Sequence, residues 1–205
     1  SQLRYLIPVL ELRDHNPDDT AFMERAREHG AVRYEWRDYE QIADDLKRAV
    51  LISEDARFME HIGFDWRGIR HAIERNEEAG RPVAGGSTVT QQLAKNLFLS
   101  SEKSYARKIQ EALIALMLEA TLSKKRILEL YLNTAQWGNR LFGAQAAARH
   151  YFDVDAQTLS PAQAAQLAVL LPRPSYYDVR GTTVYVEQRT LWIQKQLPLV
   201  RIPPP

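Results

Sequence analysis

Two acids, Glu54 and Glu111, stand at either end of a stretch that also holds a glycine pair, a polar helix start and three cations. Between them run Gly85-Gly86-Ser87-Thr88-Val89-Thr90-Gln91-Gln92-Leu93-Ala94-Lys95-Asn96 and then Arg107-Lys108. A sugar hydroxyl is a poor nucleophile until a positioned carboxylate takes its proton, a service that contributes roughly 10²–10⁴-fold. Glu54 is of the right type for that work. Lys95, Arg107 and Lys108 can grip phosphate oxygens. Gly85-Gly86 lets backbone approach a ligand, and the helix start after it offers free N–H groups to an anion. The inventory suits a reaction that moves a sugar off a phosphate.

Taken singly, each feature has an ordinary structural explanation. Glu54-Asp55 can be a solvated pair at a helix end, since charged groups are mostly exposed. Arg107 and Lys108 lie four and three residues before Glu111, the spacing of surface ion pairs that contribute a few tenths of a kcal/mol. A capped helix after a flexible turn accounts for the glycines and Thr88, but not for Gln91-Gln92 and Lys95-Asn96 on an otherwise apolar helix. Phe58 and His61 follow Glu54 by four and seven residues. That spacing predicts the same helical side, with Phe58 as an apolar wall that raises the acid's pKa and His61 as its hydrogen-bonding neighbour. A lone His61 is as well explained by packing. No phosphate-loop or dinucleotide glycine pattern is present, which disfavours a nucleotide site. The five histidines form no H-x-x-x-H pair, so a zinc hydrolase is disfavoured too.

The elements that must position these residues read as helices. Residues 20–29 form a short one ending at Gly30, and Val32-Arg33-Tyr34-Glu35-Trp36 alternates like a half-exposed strand. Ile42, Leu46, Ala49 and Val50 make an apolar stripe leading into Glu54. Asp65 can cap a helix carrying Trp66, Ile69, Ala72 and Ile73. Residues 76–86 are expected to be a mobile surface loop. Thr88 with Gln91 fits a capping box whose helix buries Val89, Leu93 and Leu97. Over 105–122 the spacing predicts a buried stripe of Ile109, Ala112, Leu113, Leu116, Met117 and Ala120. Ser123 and Ser160-Pro161-Ala162-Gln163 start further helices. A last helix is expected at 184–196, before a disordered Pro203-Pro204-Pro205 tail.

Composition sets the bounds. A chain of 205 residues can bury a real core. Its 45% hydrophobic and 26% charged content is that of a globular protein. A net charge of +1 gives no global pull toward nucleic acid or anionic membrane. The absence of cysteine excludes disulfides and cysteine-zinc sites. No run approaches the roughly 18–20 apolar residues of a membrane-spanning helix. The class is mainly α.

In order and spacing, three segments resemble the family-51 glycosyltransferases, the peptidoglycan polymerases. They are Glu54-Asp55-Ala56-Arg57-Phe58-Met59-Glu60-His61-Ile62-Gly63, Gly85 through Asn96, and Arg107-Lys108-Ile109-Gln110-Glu111. Lys125-Arg126-Ile127-Leu128-Glu129-Leu130-Tyr131-Leu132-Asn133 looks like a fourth motif, and Gln166 through Pro172 resembles the fifth. Gln136 and Asn139-Arg140 depart from the pattern where acids and glycine are common, which bears on the acceptor groove. The resemblance implies a lysozyme-like larger lobe with a small membrane-facing jaw lobe. It divides the chain into an N-terminal segment (1–38) after a membrane anchor, a catalytic core (39–178), and a C-terminal helix with tail (179–205).

The resemblance also implies a monofunctional enzyme that polymerises lipid II into β-1,4-linked glycan with inversion, releasing undecaprenyl diphosphate. Glu54 and Glu111 would be the catalytic acids. Substrate contacts would come from Asp55, Phe58, His61, Ser87, Thr88, Gln91, Gln92, Lys95, Asn96, Arg107 and Lys108. It allows a divalent cation, Mg²⁺ or Mn²⁺, at Glu111, and no organic cofactor. Implied partners are lipid II, lipid-linked glycan, the membrane surface and cell-wall synthesis and division proteins, with no nucleic acid. The implied location is the outer or periplasmic side of the bacterial inner membrane. Two other readings fit a lysozyme-like helical protein: a lytic enzyme using one Glu as acid, and a non-enzymatic scaffold that binds lipid diphosphates.

Overall fold

Short polar side chains set the helix starts in this chain. Thr20, Asp65, Thr88, Ser104, Ser123, Ser160 and Thr183 each accept a backbone N–H from the first turn of the helix that follows. Such a cap is worth typically ~1 kcal/mol, because it satisfies a donor the helix itself cannot. The computed structural model describes residues 2–81, 85–100 and 104–205.

The elements run α1 (Leu6–Glu11), α2 (Ala21–Arg27), β1 (Arg33–Tyr34), α3 (Asp44–Glu54), α4 (Trp66–Ala79), α5 (Val89–Phe98), α6 (Tyr105–Thr121) and α7 (Lys124–Thr134). They continue through β2 (Gln136–Gly138), β3 (Leu141–Phe142), α8 (Ala144–Phe152), α9 (Pro161–Leu170), α10 (Pro174–Arg180) and α11 (Val184–Gln196). The fold is mainly α, as expected, with a small sheet in the order β1-β3-β2. β1 runs parallel to β3, with Arg33 opposite Leu141, and β2 is antiparallel to β3.

Two helix groups share one core. α3 packs against α9 and α11, and α5 packs against α6 and α7. Leu46, Ala49 and Val50 of α3, Leu93 of α5, Ile114 of α6, Leu130 of α7 and Leu167 of α9 are fully buried there. Polar groups on α7 tie down the segment that leads into α3. Glu129 accepts the Tyr39 N–H at 2.7 Å, and Asn133 both accepts from Arg37 N–H and donates to its carbonyl, each at 2.8 Å. Gly143 starts α8 at φ +86°, where a β-carbon would sit 2.7 Å from the Asn133 carbonyl oxygen. Only glycine fits that backbone there.

Several expectations change on folding. The strand expected at 32–36 is only Arg33–Tyr34. Helix α6 turns the other way from its expected stripe. Glu111, Ile114, Ala115 and Leu118 face inward, while Ile109, Leu113 and Leu116 are exposed, Ile109 at 61%. Because α6 is apolar on both sides, periodicity alone cannot choose its buried face. Helix α4 buries only Ala72 and leaves Trp66 71% exposed. It also extends through residues 76–79, part of the expected loop, and ends on Gly80 in the left-handed conformation; residues 82–84 of that expectation lie outside the described residues. The Pro203–Pro205 tail is placed rather than disordered. The Tyr39 hydroxyl donates to the Pro203 carbonyl at 2.6 Å, and Pro203 is buried.

Candidate active site

Glu54 is the last residue of α3, and the chain turns sharply at Asp55, the helix cap, with φ −164° and ψ 68°. That turn separates the two acids. Asp55 points into the protein, accepting the Val89 N–H at the start of α5 at 3.0 Å and pairing with His61 Nε2 at 2.8 Å. It therefore holds an unsatisfied donor of a helix N-terminus, where a negative charge is favoured. The ending of α3 also corrects the expected geometry. His61 bonds Asp55 rather than Glu54, because residues beyond 54 have left the helix. Phe58 is buried with the His61 ring edge-on and the Lys124 ammonium 4.3 Å from its ring centroid.

Glu54 itself faces a cavity of 430 Å³ lined by Ser53, Arg75, Gly85, Ser87, Gln92, Val169, Pro172, Tyr185 and Arg189. Gln92 Nε2 donates to Glu54 Oε2 at 2.8 Å, and Ser53 Oγ donates to Oε1 at 3.3 Å. Burial pushes the carboxyl's pKa up, against the hydrogen bonds from Gln92 and Ser53 and the field of Lys95, while the Asp55 charge adds to the rise. Desolvation wins, so Glu54 holds its proton more tightly than a free carboxyl does.

Helix α5 supplies the next group. The capping box closes as the sequence predicts: Gln91 N–H donates to Thr88 Oγ1 at 3.2 Å, and Thr88 N–H to Gln91 Oε1 at 3.0 Å. Thr88 Oγ1 also donates to the Gly63 carbonyl at 2.7 Å, fastening the 55–63 turn to α5. Thr88, Gln91 and Asn96 are buried, whereas Gln92, which lines the cavity, and Lys95 are only partly buried. The Lys95 ammonium has no hydrogen-bond partner among the described residues, and it lies 5.6 Å from the Phe22 ring centroid. Burial lowers its pKa, partly offset by Glu111 and Glu54, with Arg107 and Lys108 adding to the fall. It is a desolvated cation within electrostatic reach of both acids.

Glu111 is 3% exposed and fully engaged. Arg107 Nη1 donates to one oxygen at 2.7 Å, Lys108 Nζ to the other, and Lys108 reaches Ser87 Oγ at 3.1 Å. The ion pairs expected from spacing therefore exist, on a buried Glu111 with Arg107 largely buried and Lys108 about half exposed. A cation at Glu111 would have to displace or share both partners. No group of three or more acidic or histidine side chains is placed to hold a metal among the described residues.

Some contributors are joined to the site by packing alone. Tyr131 of α7 is buried, and its hydroxyl donates to Gln92 Oε1 at 3.0 Å. Arg189 and Tyr185 reach the cavity from α11, the helix set apart from the core in the sequence, and Arg189 stacks on Trp192 at 4.1 Å. Glu119 accepts from Thr90 at 2.7 Å and Lys124 at 2.8 Å, bracing α5 against α6. Gln136, Asn139 and Arg140 build the β2–β3 turn: Gln136 donates to the Gly138 carbonyl, Asn139 N–H to Asp178, and Arg140 to the His29 carbonyl.

Comparison with known proteins bears on the family of the chain. The transglycosylase family model matches residues 20–198. A biosynthetic peptidoglycan transglycosylase from Alcanivorax borkumensis is 66% identical over 205 residues, all of this chain and 84% of the relative. One from Azoarcus sp. is 54% identical over 173 residues, 81% of this chain and 75% of the relative. One from Laribacter hongkongensis is 50% identical over 196 residues, 92% of this chain and 86% of the relative. The family model runs along most of the chain and the relatives share half to two thirds of its residues, so this chain is a member of the transglycosylase family of peptidoglycan synthesis.

Proposed function

We propose that the chain polymerises lipid II by inverting glycosyl transfer, with Glu54 as general base. The 4-hydroxyl oxygen of the acceptor GlcNAc attacks C1 of the donor sugar while Glu54 takes its proton. The bond from C1 to the diphosphate oxygen breaks, its electron pair leaves on oxygen, and undecaprenyl diphosphate is released. Lys95, Arg107 and Lys108 neutralise the charge that develops there. Because the leaving group is already an anion, no second carboxylic acid is required. The observation that carries this reading is a buried carboxylate, Glu54, within electrostatic reach of a desolvated Lys95 whose ammonium makes no hydrogen bond among the described residues.

Glu111 fits a positioning role in this scheme. It holds Arg107 and Lys108 in place and gives them up to phosphate when substrate arrives. A divalent cation on Glu111 would compete with both. Asp55, Thr88 and Gln91 are engaged in building the turn and the helix start, and shape the site from behind.

The raised pKa of Glu54 would also suit a lytic acid that protonates a glycosidic oxygen. That reaction has no use for three cations. Labelled lipid II with wild type, Glu54→Gln and Glu111→Gln, resolved on gels, separates the readings. Long glycan from wild type, with Glu54→Gln at least ~10²-fold slower, is expected. Shortening of preformed glycan would establish the lytic enzyme, and wild-type polymerisation by Glu54→Gln would remove the proposed base.

For localisation, no helix among the described residues is long and apolar enough to cross a membrane. Met59, Ile62, Trp66 and Ile73 are exposed on the 55–79 segment, as are Ile109, Leu113 and Leu116 on α6. The backbone at Gly63 lies against Leu116, which brings these two sets together. We assign this face to the outer surface of the membrane that carries the lipid-linked substrate.

A further inference from the structure

With Glu54 ionised, the hydrogen bonds around Gln92 have one consistent assignment. Its amide sits between two groups: Nε2 is 2.8 Å from Glu54 Oε2, and Oε1 is 3.0 Å from the Tyr131 hydroxyl. With the amide turned over, Oε1 would face the carboxylate, acceptor against acceptor. That arrangement becomes favourable only when Glu54 carries its proton and can donate it. In the turned-over state the Tyr131 oxygen would accept from the amide, and its own hydrogen would lose the acceptor it now has. Tyr131 is 1% exposed, so water cannot replace that acceptor, and an unmade buried donor is costly. Burial and the charges of Glu54 and Asp55 push the Tyr131 pKa well up, so the hydroxyl stays a donor across the working range.

We propose that Tyr131 is a positioning residue that locks the Gln92 amide with its N–H toward Glu54, and so favours the base form of Glu54 over the acid form. Tyr131 stabilises the ionised carboxylate without touching it, and it opposes the desolvation that would otherwise keep the proton on. The other charged or titratable groups facing Glu54 are Asp55 beside it, Lys95 on α5, Arg75 on α4, and Tyr185 and Arg189 across the cavity on α11. None of them touches the Gln92 oxygen, so none can set the amide's orientation.

The role of Tyr131 rests on Glu54 being the base, and two separate measurements keep the two claims apart. In Tyr131→Phe the amide is free to turn and accept the proton of neutral Glu54, so the Glu54 pKa rises. The acid limb of the rate–pH profile should move up by roughly half to one pH unit, costing ~3–10-fold below the wild-type midpoint and little on the alkaline plateau. The KM for lipid II should hardly change. Direct carboxyl titration of labelled Glu54 by NMR should show the same shift without requiring turnover. In a Gln92→Met background, adding Tyr131→Phe should produce no further shift, because the two residues act through one bond. An unmoved Glu54 titration in Tyr131→Phe would overturn the proposal, as would an equal loss of rate at every pH. A shifted titration without a matching shift in rate would leave the lock standing and overturn Glu54 as the base.

Discussion

Glu54 sits where burial and hydrogen bonding oppose each other, and its stability signature differs from that of most acids. Its folded pKa is raised above the unfolded value, so between the two the folded state binds more protons than the unfolded one. Stability is therefore lost as pH rises through the Glu54 titration, the reverse of a salt-bridged carboxylate. Glu54→Gln removes the desolvated charge and keeps the side chain's shape. It should melt about 2–4 °C above wild type at neutral pH, which is what ~1 kcal/mol does in a chain of this size, and the gain should shrink in acid. Calorimetry at two pH values checks this. An inactive variant more stable than its parent is the expected mark of a group retained for chemistry.

At the scale of elements, the start of α5 depends on Asp55 more than on its own cap. Asp55→Ala would strip the Val89 N–H of its acceptor and leave His61, whose Nδ1 has no partner among the described residues, without its bond at Nε2 as well. A loss of about 2 kcal/mol, or ~4–8 °C in melting temperature, is expected. Activity should fall with it, because Thr88 and Gln92 lie on the same turn. Local signals made much of this scale legible. Caps three residues from their partners, and the buried stripes of α3 and α5, were readable because both partners lie within one or two turns. The α6 face was not readable, since Ile109-Leu113-Leu116 and Ile114-Ala115-Leu118 are equally apolar and only contact with α5 decides between them. In the sequence Tyr131 is one residue of the 125–133 segment, with nothing local to join it to the cleft. Its place beside Gln92, across 39 residues of chain, is made by helix packing alone. Arg189 joins the cleft in the same way, from α11.

At the scale of the whole molecule, the two faces divide the work: a polar cleft, and an apolar surface formed by α4, α6 and the turn between 55 and 66. Phe64 and Trp66 stack there at 5.5 Å between ring centroids. Replacing Ile109, Leu113 and Leu116 together by Ser should cut sedimentation with vesicles roughly tenfold. Melting temperature should stay within ~2 °C, because these side chains are already in contact with water. Unchanged vesicle binding would exclude α6 from the proposed membrane-facing surface.

Gly143 adds a consequence of a genetic kind. Its missing side chain is what lets α8 start against the Asn133 carbonyl, and Asn133 lies two residues beyond Tyr131 on α7. A methyl group there has to push on the helix that carries the lock on Gln92, from the side away from the cleft. A heat-sensitive allele of this transglycosylase mapping to codon 143 would then behave as a catalytic lesion, although every residue lining the cavity kept its identity.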